Sequence, residues 1–114
     1  MEFDYFCQND LCLMKSFGEI IRKAREEKNY ILRHVGAKLD IDQAIISKFE
    51  RGERKPTKEQ VIKFADFFGL DKNNLLIAWL SDKVVYDLEN EPFAEQALKV
   101  AEEKIQYLKS QNNG

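Results

Sequence analysis

Residues 41–56 read IDQAIISKFERGERKP, and this stretch has the most specific pattern in the chain. Asp42 is a typical N-cap, because its side-chain oxygen can accept a hydrogen bond from a free N–H of the first helical turn. Apolar residues then follow at helical spacing, namely Ile45, Ile46 and Phe49. Gly52 ends the helix, since glycine adopts left-handed backbone angles without steric cost. The stretch therefore predicts a short helix with one apolar face.

The other face of this short helix carries small polar and basic side chains. The residues expected to face solvent are Gln43, Ala44, Ser47 and Lys48. A short loop broken by Pro56 follows, and the basic residues around it are Arg51, Arg54, Lys55 and Lys58. A helix with such a face can enter a major groove, where basic residues at its end lie near the phosphates.

The run SKFERGERKP, residues 47–56, resembles the helix-turn-helix domain of the Cro/repressor (XRE) family. The shared pattern is a serine, an aromatic or aliphatic residue, Glu, Arg or Asn, Gly and then Pro. The resemblance covers roughly residues 17–70, because the upstream helices fall at the expected distances. It implies an all-α fold, a five-helix repressor-like domain with an additional C-terminal helix. Taken alone, the run also fits an ordinary capped helix and a solvated basic loop.

The resemblance also implies roles on double-stranded DNA. Gln43 would bond adenine, Lys48 guanine and Ala44 a thymine methyl group, with Ser47 on the same face. The residues implied to contact phosphates are Arg33, Arg51, Arg54, Lys55 and Lys58. In the family, an arginine of the first helix pairs with the glutamate that ends the recognition helix. Arg25 and Glu50 occupy those two positions.

The second helix, near residues 32–39, departs from the family pattern. Ile31 and Leu32 stand where a capping Thr or Asn and then a Gln are usual, and neither can hydrogen-bond a phosphate. A phosphate contact there must come from Arg33, from His34 or from backbone N–H groups. Asp40 replaces the usual glycine of the turn, and Asp tolerates left-handed angles better than most residues.

Composition bounds the chain to one small domain with extensions, since it has 114 residues. The net charge of −2 hides a segregation, because residues 14–70 carry 13 basic and 9 acidic residues. A basic middle keeps DNA binding open despite the acidic ends. No apolar run approaches the roughly 18 residues that span a membrane, and no signal peptide opens the chain. A cytoplasmic location is therefore expected.

Residues 1–13 mix aromatic residues, acids and two cysteines without a period. We hypothesise that Met14 is the initiator and that residues 1–13 are a start-site artefact or a disordered arm. The alternative is a short arm or strand that pairs across a dimer. Cys7, Cys12 and the single His34 form no metal-ligand pattern, so neither a metal nor another cofactor is expected.

Two helices are predicted after the DNA-binding domain of residues 14–70. One runs roughly over residues 74–88 with Asp71 or Asn73 as its cap. The other opens at Glu91–Pro92 and ends near Lys109, with residues 110–114 as a flexible tail. The first has apolar residues on more than one side, which is typical of a helix covered both by its own domain and by a partner. The second has one apolar stripe, which must fold back on its own domain or, as we favour, pack on another subunit. The residues expected in a dimer interface are Ile77, Trp79, Leu80, Val84, Phe93, Leu98 and Ile105.

These patterns favour a sequence-specific transcriptional regulator, a repressor that binds a palindromic operator as a homodimer. One alternative is an antitoxin whose C-terminal helices bind a toxin as a protein partner. Another is a controller of a restriction–modification operon. An enzyme is not expected, because the chain shows no nucleophile–base pair, no carboxylate pair and no Gly-rich phosphate loop.

Overall fold

The computed structural model describes residues 15–113 of the chain. Within that range the fold is all α, as predicted, and contains six helices. They are α1 (Phe17–Glu27), α2 (Leu32–Leu39), α3 (Gln43–Glu50), α4 (Lys58–Phe68), α5 (Lys72–Leu88) and α6 (Ala94–Asn113).

The helix starts are set by local capping. Ser16 and Glu19 form a capping box at α1, and Thr57 and Gln60 form a second one at α4. The backbone N–H of Ala44 donates to Asp42 at 2.7 Å, which caps α3. At α5 the cap is Asp71, whose carboxylate accepts from an N–H of the first turn at 2.9 Å. Helix α5 therefore begins at Lys72, two residues before the predicted start.

The core is centred on Phe64 of α4, which has no exposed surface. Its ring meets Phe17 of α1 edge-on at 5.7 Å and Phe49 of α3 at 6.1 Å between centroids, a favoured aromatic geometry. Helix α5 adds Leu75 and Trp79 to the same core. These contacts fix α3 against three other helices by burial of apolar surface.

The chain divides into two compact units, and the first ends at Asp82. The first unit thus continues past the domain boundary predicted at residue 70. The reason is that α5 buries Leu75, Ala78 and Trp79 in the core of that unit. The second unit, from Lys83 onward, contains the end of α5 and all of α6.

Helix α6 differs from its predicted limits at both ends. Pro92 and Phe93 precede it as a turn, and the helix continues to Asn113, so residues 110–113 are helical rather than a tail. Every side chain described between residues 95 and 112 is exposed. No helix among residues 15–113 has the length and apolar character needed to cross a membrane. The hypotheses on residues 1–13 and Met14 lie outside the described residues.

Candidate nucleic-acid interface

A tight turn joins α2 to α3 and fixes the angle between them. Asp40 adopts the left-handed conformation, at φ 58° and ψ 47°, and its N–H donates to the carbonyl of Gly36. The N–H of Ile41 donates to the same carbonyl at 3.0 Å, and the Ile41 side chain is buried. The aspartate therefore occupies the conformation expected of it, which a short polar side chain tolerates.

Two glycines let the backbone of α3 approach its neighbours closely. A Cβ at Gly36 would lie 2.6 Å from the carbonyl oxygen of Ile41, at the start of α3. A Cβ at Gly18 of α1 would collide with the carbonyl oxygens of Phe49 and Glu50, the latter at 2.7 Å. Both ends of α3 are thus seated where no side-chain carbon fits.

An ion pair fixes the end of α3 to α1. Arg25 donates through Nε and Nη2 to the two carboxylate oxygens of Glu50, at 2.8 and 3.0 Å. Its Nη1 also donates to the carbonyl of Tyr30 at 3.0 Å. The pair is largely shielded, and the hydrogen bond to Glu50 raises the pKa of Arg25. The pairing implied by the resemblance is present, and its bidentate form orients the two helices.

Helix α3 presents a polar face to solvent. Gln43, Ala44 and Lys48 are exposed, and Ser47 is half-buried. On the opposite side Ile46 and Phe49 retain only 1% and 2% of their surface. The residues predicted to read base edges therefore share one accessible face of a helix that is held rigidly from behind.

The loop after α3 is basic, but one of its arginines forms an ion pair with an acid of the same loop. Arg54, Lys55 and Lys58 are exposed, as is Arg33 on α2. Arg51 is also exposed, but its guanidinium donates to both carboxylate oxygens of Glu53, at 3.0 and 3.1 Å. Any phosphate bound by Arg51 must therefore compete with Glu53.

Trp79 of α5 anchors the end of this loop. Its indole Nε1–H donates to the carbonyl of Pro56 at 3.0 Å, and the ring is 8% exposed. Trp79 was predicted to lie in the dimer interface. It belongs instead to the core of its own unit, because its polar edge finds a partner on the basic loop and its rings cover apolar neighbours.

Asp82 of α5 caps α1 from a distance of 65 residues in sequence. Its carboxylate accepts from the N–H of Phe17 at 2.8 Å. Partial burial raises the pKa of Asp82, and the hydrogen bond from Phe17 and the charge of Lys55 oppose that rise. Asp82 thus links α5 to the first turn of α1 by a hydrogen bond. It also interacts electrostatically with Lys55 of the basic loop.

The start of α2 lacks the side-chain cap that is usual in the family, as predicted from the sequence. Ile31 is the N-cap and is 57% exposed, and its side chain makes no capping hydrogen bond. Arg33 and His34 are exposed beside it. The ring of His34 lies 4.7 Å from that of Tyr30, in the loop before α2, and 6.4 Å from that of Phe67 on α4.

Three contributors to this surface were missed by sequence reasoning. Gly18 shows no sign in the sequence beyond being a glycine within a helical pattern, which is a hint of close packing. Glu53 was not identified as a partner of Arg51, although it is an acid two residues away in the sequence. The contact of Trp79 with Pro56 spans 23 residues, and no local pattern signals it.

Comparison with known proteins agrees with this geometry. Residues 21–73 match the family model described as helix-turn-helix. The match begins within α1 and ends at the start of α5, so it includes α3 and the basic loop. A search of curated proteins found no match to the chain.

Proposed function

Through residues 21–73 the chain belongs to the Cro/repressor (XRE) family of helix-turn-helix proteins and is a DNA-binding transcriptional regulator, and we propose that it represses transcription by binding a palindromic operator as a homodimer. The proposal involves no catalysis and no cofactor. It locates the protein in the cytoplasm, where the operator would be.

The observation that carries the proposal is the exposed polar face of α3. The opposite, apolar face of α3 is buried. The two ends of α3 are held by the close contacts at Gly18 and Gly36 and by the Arg25–Glu50 ion pair. Such a helix can enter the major groove as a rigid unit, which lowers the entropic cost of ordering it on DNA.

The proposed base contacts follow from the chemistry of that face. Gln43 bonds the N6 and N7 edge of adenine, Lys48 donates to guanine, and Ala44 touches a thymine methyl group, while Ser47 contacts either base. The proposed phosphate contacts are made by Arg33, Arg51, Arg54, Lys55 and Lys58. Their neutralising charge would supply the salt-dependent part of the affinity.

A homodimer is supported by exposed apolar side chains on α5, on α6 and between them. Phe93 is 71% exposed, and five more residues predicted for the interface are between 40% and 54% exposed. These five are Ile77, Leu80, Val84, Leu98 and Ile105. A dimer doubles the number of bases read and requires half-sites about one helical turn apart. Occupancy of such a site would exclude polymerase from an overlapping promoter.

The deciding experiment is selection of binding sites from a random duplex library with the purified protein at near-physiological salt. We expect enrichment of a two-fold symmetric motif, and a copy of it near the gene for this protein. An enriched motif without two-fold symmetry would contradict the homodimer. Absence of any enriched motif would contradict sequence-specific binding.

Two substitutions separate the base-reading and phosphate roles. Lys48→Ala should relax specificity at one base pair, by roughly 1–3 kcal/mol, because a base contact is lost. Arg54→Ala should weaken operator and random DNA in the same ratio and reduce the salt slope by about 1. Lys23→Ala removes an exposed lysine from α1 and is the matched control. Equal effects of the first two changes on both DNAs would contradict the role of Lys48.

A further inference from the structure

Pro56 is the point at which the basic loop between α3 and α4 meets the core. The loop consists of residues 51–57, and Pro56 is buried whereas its other six residues are exposed. The start of the loop is fixed to α3, because the N–H of Glu53 donates to the carbonyl of Lys48 at 2.9 Å. The proline ring fixes its own φ and restricts the backbone of Lys55 before it. The position of the end of the loop therefore depends on what holds Pro56.

Helix α5 holds Pro56 through Trp79. The indole Nε1–H donates to the carbonyl of Pro56 at 3.0 Å, and both residues are buried. A hydrogen bond shielded from water is electrostatically stronger than an exposed one. Trp79 also belongs to the core cluster that includes Phe64 and Leu75. The indole therefore ties the end of the basic loop to the core of the first unit.

Trp79 lies beyond the segment that matches the family model. The match ends at residue 73, the second residue of α5, and Trp79 follows six residues later. The matched segment thus includes Arg54 and Lys55, the charges of the loop next to Pro56, but not the side chain that holds the loop. A hold on the basic loop from outside this segment is a feature of this chain's own α5.

We propose that Trp79 is a positioning residue for DNA binding, which holds the loop so that Arg54 and Lys55 are directed at phosphates in the free protein. Both are exposed and directly precede Pro56, whose carbonyl Trp79 holds. A loop held in this way loses less conformational entropy when its cations are ordered on DNA. Trp79 is buried, so it acts through Pro56 and touches no phosphate. The inference rests on the proposed phosphate contacts of Arg54 and Lys55.

Trp79→Phe tests this role in the full-length protein, because it removes the indole N–H and retains an aromatic ring. Affinity for a fluorescent duplex of random sequence is measured by anisotropy over a range of salt concentrations. We expect binding about three- to ten-fold weaker at every salt concentration, since the loop must then be ordered on binding. The log–log salt slope should stay that of wild type, because every cation remains. By contrast, Arg54→Ala with Lys55→Ala should make the slope shallower by about 2 per subunit.

A double-mutant cycle determines whether Trp79 acts through the charges of the loop. Trp79→Phe is combined with Arg54→Ala and Lys55→Ala, and in that background it should weaken binding less than about two-fold. A side chain that only stabilises the fold would have the same effect in both backgrounds. Pro56→Ala loosens the same loop without changing α5, and it should also weaken binding with an unchanged salt slope. It decides the question if Trp79→Phe does not fold.

Leu75→Val and Leu75→Ala are the matched controls. Leu75 is buried one turn earlier on α5 and belongs to the same core cluster as Trp79. Both changes remove buried volume and leave the indole N–H in place, so the folded variants should bind DNA like wild type. Wild-type affinity in Trp79→Phe, an equal loss in the Leu75 variants or an additive cycle would each overturn the positioning role alone. Wild-type affinity in the variant without Arg54 and Lys55 would overturn their phosphate contacts as well.

Discussion

At the scale of single residues, Gly18 illustrates how a missing side chain positions α3, the helix proposed to read DNA. Intrinsic helix propensity alone predicts that Gly18→Ala stabilises α1 by about 1 kcal/mol. The structure predicts the opposite sign, because the new Cβ would collide with the carbonyl oxygens of Phe49 and Glu50. We expect the free energy of unfolding to fall by about 1–3 kcal/mol in urea denaturation, since backbone cannot move aside as a flexible side chain can.

Gly36→Ala provides an independent check of the same effect at the other end of α3. Its Cβ would lie 2.6 Å from the carbonyl oxygen of Ile41, so it should destabilise as well. A gain in unfolding free energy in either variant would mean that α3 is not held by these two backbone contacts.

Glu53 is predicted to limit the DNA affinity of this protein. In Glu53→Gln the two ion-pair contacts of Arg51 are lost, so its guanidinium becomes available to a phosphate. We expect tighter binding to all duplexes and a log–log salt slope that is steeper by about 1 per subunit. Unfolding free energy should hardly change, because the pair is exposed.

The control for Glu53 is Glu27→Gln, which removes an equal charge from the end of α1. It should raise affinity slightly through net charge without adding a phosphate contact. If the two variants show the same salt slope, Arg51 does not bind a phosphate.

At the scale of elements, local sequence signals predicted most helices. The role of Trp79 was predicted wrongly because it depends on contacts that are distant in sequence. The caps Ser16, Asp42 and Thr57 were readable because their partners lie within three residues. The role of Trp79 was not readable. A periodic apolar pattern shows that a helix face is covered, but it does not show by which neighbour. The end of α6 was placed too early because polar residues near its end resemble a tail.

Helix α5 connects parts of the DNA-binding unit that are distant in sequence. Trp79 anchors the basic loop through Pro56, and Asp82 caps α1 through Phe17. Asp82→Ala should lower the unfolding free energy by about 1 kcal/mol, because the N–H of Phe17 loses its acceptor. Asp82→Asn keeps a side-chain oxygen as acceptor and should cost less at neutral pH. Thermal or urea unfolding of both variants measures the difference.

The pH dependence of Asp82 has a defined sign. Burial raises its pKa in the folded state above the ordinary value of 3.8. The folded state then binds this proton more tightly than the unfolded state, so stability from this group is greatest at low pH. It declines as pH rises through 3.8 toward the raised pKa. Relative to wild type, Asp82→Asn should therefore gain unfolding free energy as pH increases across that window, and a constant difference would contradict the burial of the carboxylate.

At the scale of the whole molecule, the two compact units have different proposed roles. The first is proposed to bind DNA, and the second to contribute to dimerisation. The basic residues of the first unit are proposed to contact phosphates, whereas residues 83–114 carry six acids and four lysines, a net charge that disfavours phosphate binding. Charge segregation was visible in the sequence before the fold was known. The unit boundary inside α5 was not visible, because Leu75 and Trp79 are buried in a core cluster whose other residues lie between Phe17 and Phe68, and the pattern of α5 does not identify those neighbours.

A chain ending at Leu88 should separate folding from dimerisation. Among residues 15–113 every buried core residue lies between Phe17 and Trp79, so this truncation keeps that core. At concentrations where the full-length protein is monomeric, we expect unfolding free energies that agree within about 1 kcal/mol. Affinity for the symmetric operator should fall at least about 100-fold, because the second recognition helix is no longer linked to the first. Affinity for a single half-site, measured by fluorescence anisotropy as the control, should be unchanged. An equal loss on both DNAs would show that α6 supports the DNA-binding unit itself instead of joining two copies of it.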